Sequence, residues 1–145
     1  MGKSKQGRAP KDESIRRLAD RITRAVKARG MTVQRYDAYT TNSVYLKFDY
    51  GVANSVRISD HNGKKHLSYR FNLLTTLDDS FAELEGEHPR YYYSPDDFDR
   101  LIKAIIGNRD AQMEKYGPRH YEFLMKRNKA ANTDTKGFWS KARIV

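Results

Sequence analysis

The chain has 145 residues, enough for one domain with a real core and too few for two comfortable ones. At 38% hydrophobic and 32% charged residues it is polar for a globular protein, yet not disordered throughout. It holds no cysteine, which excludes a disulfide framework, a zinc finger and a thiol nucleophile, and its formal net charge is +10.

That charge is unevenly spread. Residues 1–29 carry ten Lys/Arg against three Asp/Glu, a net of +7, and residues 115–145 carry eight against two, a net of +6. The middle, residues 30–114, carries ten against thirteen, a net of −3. Basic ends around a slightly acidic middle attract polyanions, of which nucleic acid is the commonest in a cell. They also serve solubility.

The opening "MGKSKQGRAPK" has no apolar anchor and reads as a flexible basic tail over 1–13. It contains no apolar signal region, and no apolar run in the chain approaches a membrane span, so a cytoplasmic protein is expected. Ser14 is the expected N-cap of a helix in which Ile15, Leu18, Ile22, Ala25 and Val26 form one apolar stripe, closed by Gly30. Arg16, Arg17, Arg21, Arg24 and Lys27 take the other face. A basic amphipathic helix suits phosphates or an acidic groove, and it lacks the Trp or Phe that would anchor it on a membrane.

The middle reads as strands. "TVQRYDAYT" (32–40) is followed by "SVYLKFDY" (43–50), where Val44, Leu46, Phe48 and Tyr50 alternate with Tyr45, Lys47 and Asp49. "SVRIS" (55–59) puts Val56 and Ile58 inward and Arg57 outward. Asn62-Gly63 supplies a type I′ hairpin turn, and "HLSYRFNLL" returns with Leu67, Tyr69, Phe71 and Leu73 on one face. Period two with one polar face describes an antiparallel sheet with one side solvated. An acidic stretch, 77–88, leads to "PRYYY", a short edge strand. Ser94-Pro95-Asp96-Asp97 starts a helix carrying Phe98, Leu101, Ile102, Ile105 and Ile106, which ends near Gly107 or near Tyr116. Gly117-Pro118 breaks the chain before a third, shorter helix with Tyr121, Leu124 and Met125 as its apolar side. The expectation is a single α+β domain over 14–129, with a central antiparallel sheet of three to four strands, an N-terminal helix, one or two C-terminal helices, and a basic tail over 130–145.

Catalytic signatures are weak. Asp60, His61 and His66 flank the hairpin turn, but their spacing matches no metal motif, and a turn-capping hydrogen bond explains His61. "GVANSV" joins two strands rather than a strand and a helix, so it is no phosphate loop. No enzyme, metal or cofactor is expected. Binding signatures are stronger, because single-strand binders combine cations with aromatics on which bases stack. Ten tyrosines, including the run Tyr91-Tyr92-Tyr93, accompany Arg57, Lys64, Lys65 and Arg70 around the hairpin. The competing reading is that these cations only protect a sheet edge. The candidate contact residues are Arg16, Arg17, Arg21, Arg24, Arg57, His61, Lys64, Lys65, Arg70 and Tyr91.

The segment "SVYLKFDYGVANSVRISDHNGKKH" pairs a Ser-x-Tyr strand with a strand ending Arg-x-Ser-Asp-His, here Ser43, Tyr45, Arg57, Ser59, Asp60 and His61. It resembles small proteins of Gram-positive phages and mobile elements, among them anti-CRISPR proteins that inhibit the type II effector nuclease. The resemblance covers about a quarter of the chain. It implies a stoichiometric, non-catalytic inhibitor whose partner is the effector or its guide-RNA complex. The alternative is a basic protein of phage replication or regulation that binds DNA or RNA directly. An inhibitor this basic is no DNA mimic; it suits guide RNA or acidic protein surfaces.

Overall fold

The structure, a computed structural model, describes residues 14–38, 42–61, 64–70, 90–134 and 142–145; at 61, 64–66, 70, 90, 91 and 132–134 it describes the backbone alone. The first thirteen residues, the Asn62-Gly63 turn and the acidic 77–88 stretch lie outside the described residues.

Helix α1 (Ile15–Lys27) starts where Ser14 accepts the Arg17 N–H at 3.1 Å. It stops at Gly30, whose φ of +84° lets its N–H reach the Lys27 carbonyl and the Met31 N–H reach that of Val26. Its apolar stripe, Ile15, Leu18, Ala19, Ile22 and Val26, is buried against the sheet. Burying one such Leu or Ile side chain contributes about 1.5–3 kcal/mol.

The sheet has six antiparallel strands in the order β5-β4-β3-β2-β1-β6. These are β1 (Val33–Ala38), β2 (Ser43–Phe48), β3 (Ser55–His61), β4 (Lys64–Arg70), β5 (Arg90–Tyr93) and β6 (Arg143–Ile144). Strands β1 to β4 form a meander, with register pairs Val33↔Phe48, Val44↔Ile58 and Ile58↔Leu67. The α+β class holds, with more strands than expected. "RYYY" is the edge strand, and the additional one is β6, which pairs with β1 at Gln34↔Ile144. A two-residue strand has no period to display, so β6 leaves no mark in the sequence pattern.

Two helices complete the fold. Ser94 meets the Asp97 carboxylate through both its N–H (3.4 Å) and its Oγ (3.2 Å), setting the start of the Pro95–Asp97 turn. Helix α2 (Phe98–Tyr116) then runs past Gly107 to a break at Gly117, φ +92°. Helix α3 (Pro118–Asp134) has 17 residues against the 19 of α2, so it extends into the expected C-terminal tail. Leu101, Ile105 and Ile106 of α2 share the core with α1 and with Val44, Leu46, Phe48, Val56, Ile58, Leu67, Tyr69 and Tyr93 of the sheet.

The β2–β3 connection departs from the strand reading. Asp49 and Tyr50 do not extend β2; they form a 3-10 turn with Gly51. Asp49, Tyr50, Gly51 and Asn54 all have positive φ, at 50°, 57°, 95° and 64°. Left-handed backbone costs a non-glycine residue roughly 1–2 kcal/mol, so the turn needs external support. Asp49 supplies part of it. Expected to point outward, it is 3% exposed, and its Oδ1 accepts the Thr32 N–H at 2.9 Å while its Oδ2 accepts the Tyr121 hydroxyl at 2.6 Å. Gln112 of α2 donates to the Val52 carbonyl at 2.8 Å, Tyr69 donates to that of Ala53 at 2.7 Å, and Asn108 donates to the Tyr69 hydroxyl at 2.9 Å. Burial, with the Asp49 hydrogen bond adding to it, pushes the Tyr121 hydroxyl well above its ordinary pKa, so it stays a donor.

The edge of the sheet is fixed by charge. Arg35 of β1 is buried and forks onto Asp37 at 2.8 and 3.2 Å, while its Nη1 reaches Asp20 of α1 at 2.6 Å. The hydrogen bond from Arg35 is the main force holding Asp37 below the usual carboxylate pKa, with Arg143 and Arg16 adding to it.

Two stability predictions follow from these contacts. Tyr121→Phe strands a buried carboxylate oxygen and should cost about 1–3 kcal/mol in urea denaturation. Asp49→Ala should cost more, because it orphans Thr32 N–H and the Tyr121 hydroxyl and puts alanine at φ +50°. Asp37, with its folded pKa depressed, contributes stability that is full above the unfolded value of about 4 and is lost as pH falls through the folded one. The wild type should therefore lose stability on acidification below about pH 4 more steeply than Asp37→Asn, measured by denaturation at stepped pH.

Candidate nucleic-acid interface

The apolar stripe of α1 and Leu101, Ile105 and Ile106 of α2 pack on one face of the sheet, the face of Val44, Leu46, Val56 and Ile58. Strand alternation sends the intervening residues to the other face, which α3 meets at one end, where Asn128 and Ala131 line a cleft with Lys47 and Ser55. On that face the register aligns one residue from each of five strands: Tyr36↔Tyr45, Tyr45↔Arg57, Arg57↔Ser68, Ser68↔Tyr92. At the usual strand spacing this row is roughly 19 Å long.

Its parts touch. The Tyr36 and Tyr45 rings are 6.5 Å apart and tilted by 43°. The Arg57 guanidinium lies over the Tyr45 ring, 5.8 Å from its centroid. Arg57 Nε and Nη2 also point at Ser43 Oγ, at 3.4 and 3.3 Å. Ser43, Tyr45, Arg57 and Ser59 are thus cross-strand neighbours on one face. Tyr92, at the far end of the row, is 51% exposed. The arrangement presents aromatic faces and one half-buried guanidinium on a flat surface, which is what stacking bases and a phosphate can use.

A cleft of about 320 Å³ opens beside the row. Asn128 and Ala131 of α3 face Lys47, Tyr50, Asn54 and Ser55 across it. Burial pushes the Lys47 ammonium below its ordinary pKa, and Lys129 stands over the Tyr50 ring at 5.9 Å. A second cleft, of about 300 Å³, lies between Gly30 and α3, lined by Asp49, Arg109, Arg119, Tyr121 and Glu122.

The expected contact residues do not form one surface. Arg16, Arg17, Arg21 and Arg24 ride on α1, which packs on the opposite side of the sheet from Arg57. Arg17 and Arg24 are exposed, Arg16 reaches Asp37 at 3.2 Å, and the Arg21 guanidinium covers the Phe98 ring at 4.2 Å. The remaining five, His61, Lys64, Lys65, Arg70 and Tyr91, belong to backbone-only positions. Register sets Lys64 opposite His61, Lys65 opposite Asp60, Arg70 opposite Arg90 and Tyr91 opposite Tyr69. Lys65 is therefore out of step with Arg57, and Tyr91 is out of step with Tyr92. Sequence reasoning passed over Tyr36, Tyr45 and Tyr92 as contact residues. The signal that finds them is parity: each shares Arg57's face once the register is known.

In comparisons with known proteins, no family model, no curated protein and no solved structure matches this chain.

The tyrosines should separate into two kinds by stability. Tyr69→Phe, which removes a hydroxyl bonded to Ala53 and Asn108, should cost about 1–3 kcal/mol in urea denaturation. Tyr92→Ala, at an exposed edge position, should stay within about 0.5 kcal/mol of wild type.

Proposed function

We propose that this chain is a binding protein that engages the nucleic acid of a nucleoprotein, and that it acts as a phage or mobile-element inhibitor of a type II CRISPR effector. The observation that carries the reading is the row Tyr36, Tyr45, Arg57, Ser68 and Tyr92 on the face of the sheet opposite α1, set in a chain of net charge +10. The Ser-x-Tyr and Arg-x-Ser strands on which the resemblance rests supply the middle of that row. Arg57 contacts both Ser43 and Tyr45 there, which supports a role for the motif beyond hairpin formation.

In this reading the two faces divide the work. Exposed Arg17 and Arg24 on α1 steer the protein toward phosphates and make binding salt-dependent. The sheet face supplies shape and stacking against unpaired bases or a ribose-phosphate edge. Inhibition follows from occupancy: a protein held on guide RNA, or on the acidic surfaces beside it, blocks pairing or the rearrangement that licenses cleavage. No step requires turnover. The second reading, a nucleic-acid-binding protein of phage replication or regulation, draws on the same row, because aromatics and a cation accept any single strand.

The test is cleavage of target plasmid by guide-loaded type II effectors, titrated with this protein, with a restriction enzyme on the same plasmid as control. Loss of guided cleavage near one equivalent, with the control intact, is the expected result. Arg57→Ala combined with Tyr92→Ala should raise the protein needed by about tenfold or more, as expected when one stacking contact of about 1–3 kcal/mol is lost. Arg17→Glu with Arg24→Glu should weaken inhibition and flatten its dependence on salt. Equal loss of both cleavages would favour the second reading, and no loss with effectors from several Gram-positive hosts would overturn the first.

A further inference from the structure

The junction of α2 and α3 carries a second set of aromatics that neither the core nor the sheet face uses. Tyr116, the last residue of α2, and Phe123 of α3 are 51% and 59% exposed, among the most exposed large apolar side chains described. His120 stands between them, 5.7 Å from Tyr116 and 6.3 Å from Phe123, its plane 27° from that of Phe123. The three rings form a file along the surface.

Their placement follows from the buried side of α3. Tyr121 points inward to Asp49 and is 2% exposed. Each helical residue advances about 100°, so Arg119, Phe123, Lys126 and Arg127 fall within roughly 60° of the direction opposite Tyr121, and His120 flanks them at about 80° on the side of Arg127. All five are exposed. Lys115 adds an ammonium over the Tyr116 ring at 5.4 Å. Two described acids border this strip, Glu122 on α3 and Glu114 just before Lys115 on α2. Among the described residues, Phe123 is the exposed phenylalanine at the centre of this cationic helix face.

We infer that this strip is a binding site for single-stranded nucleic acid, with bases stacked on Tyr116, His120 and Phe123 and phosphates held by Arg119, Lys126 and Arg127. Charge complementarity selects a polyanion. The file of rings selects one with exposed planar groups, since duplex phosphates or an acidic peptide would use the cations and leave the rings idle. An interfacial membrane helix would need a broad apolar face, and here two rings and an imidazole lie among cations. The inference rests on the nucleic-acid part of the proposed function and adds to it a second surface and a class of strand.

The experiment compares three fluorescent probes of equal phosphate count: a single-stranded oligothymidine, the same backbone without bases, and a duplex of half the length. The wild-type chain should bind the base-bearing single strand at least about tenfold tighter than the abasic one. Tyr116→Ala with Phe123→Ala, both at exposed positions, should abolish that preference while leaving abasic and duplex binding and the circular dichroism spectrum unchanged. Equal wild-type affinity for abasic and base-bearing strands would overturn the stacking site and leave only a basic patch. A preference that survives the double variant but falls with Tyr92→Ala would overturn it too, assigning stacking to the sheet. Absence of oligonucleotide binding together with inhibition of guided cleavage would overturn this site and the nucleic-acid part of the proposed function, leaving inhibition through protein contacts. Absence of both would overturn the proposed function with it.

Discussion

The Asp49 carboxylate is the contact on which the candidate surface of this protein depends. Both its oxygens are occupied, one by the Thr32 N–H before β1 and one by the Tyr121 hydroxyl of α3. It therefore joins three parts of the chain at the turn between β2 and β3. That turn contains four positive-φ residues, and left alone it would relax. Relaxation would matter because the turn sets the β2–β3 register. A slip of one residue would move Tyr45 and Arg57 to the helix side and bring Leu46 and Val56 into water. The polar contacts of Asn108, Gln112 and Tyr69 add to the same constraint from α2. The second half of the chain thus holds the first half's hairpin in the register that builds the surface.

This division explains what was legible. Val44, Leu46 and Phe48 announce a strand because alternation is a local property, and all three are fully buried. Ser14, Gly30, Ser94 and Gly117 announce helix ends because capping is local too. Asp49 did not announce itself, since an acid one step beyond an alternating strand continues the outward parity. Its burial is decided by Tyr121, 72 residues later. Asn108 and Gln112 break the apolar pattern of α2, and only their distant partners explain why polar residues sit on its buried side. The strand β6 was illegible for a different reason: two residues paired to an edge carry no periodic signal.

The candidate surface was half legible for the same reason. Arg57 stood out as an outward cation in a short strand. The tyrosines beside it did not, because facing Arg57 depends on how strands align rather than on residue type. Tyr91 and Tyr92 show the difference. They are adjacent in sequence, yet Tyr92 continues the Arg57 row and Tyr91 is opposite Tyr69, whose side chain is buried.

Ser43, Tyr45 and Arg57 bear on what the two-strand motif is for. Hairpin physics requires alternation and a turn, and it is indifferent to which polar residues occupy the outward positions. A guanidinium laid across a tyrosine ring and aimed at a serine oxygen is more specific than that. Ser43 is 2% exposed, so the pair is sunk into the sheet surface rather than waving in solvent. Holding the guanidinium flat costs side-chain entropy that a solubilising charge on an edge would not need to spend. That cost is recovered when a partner meets the guanidinium already in place, because preorganisation moves the ordering from the binding step to folding. A cation kept only for solubility has no reason to be fixed. Arg57 is held by Ser43 and the Tyr45 ring, which supports the recognition proposed for this part of the sheet over edge protection.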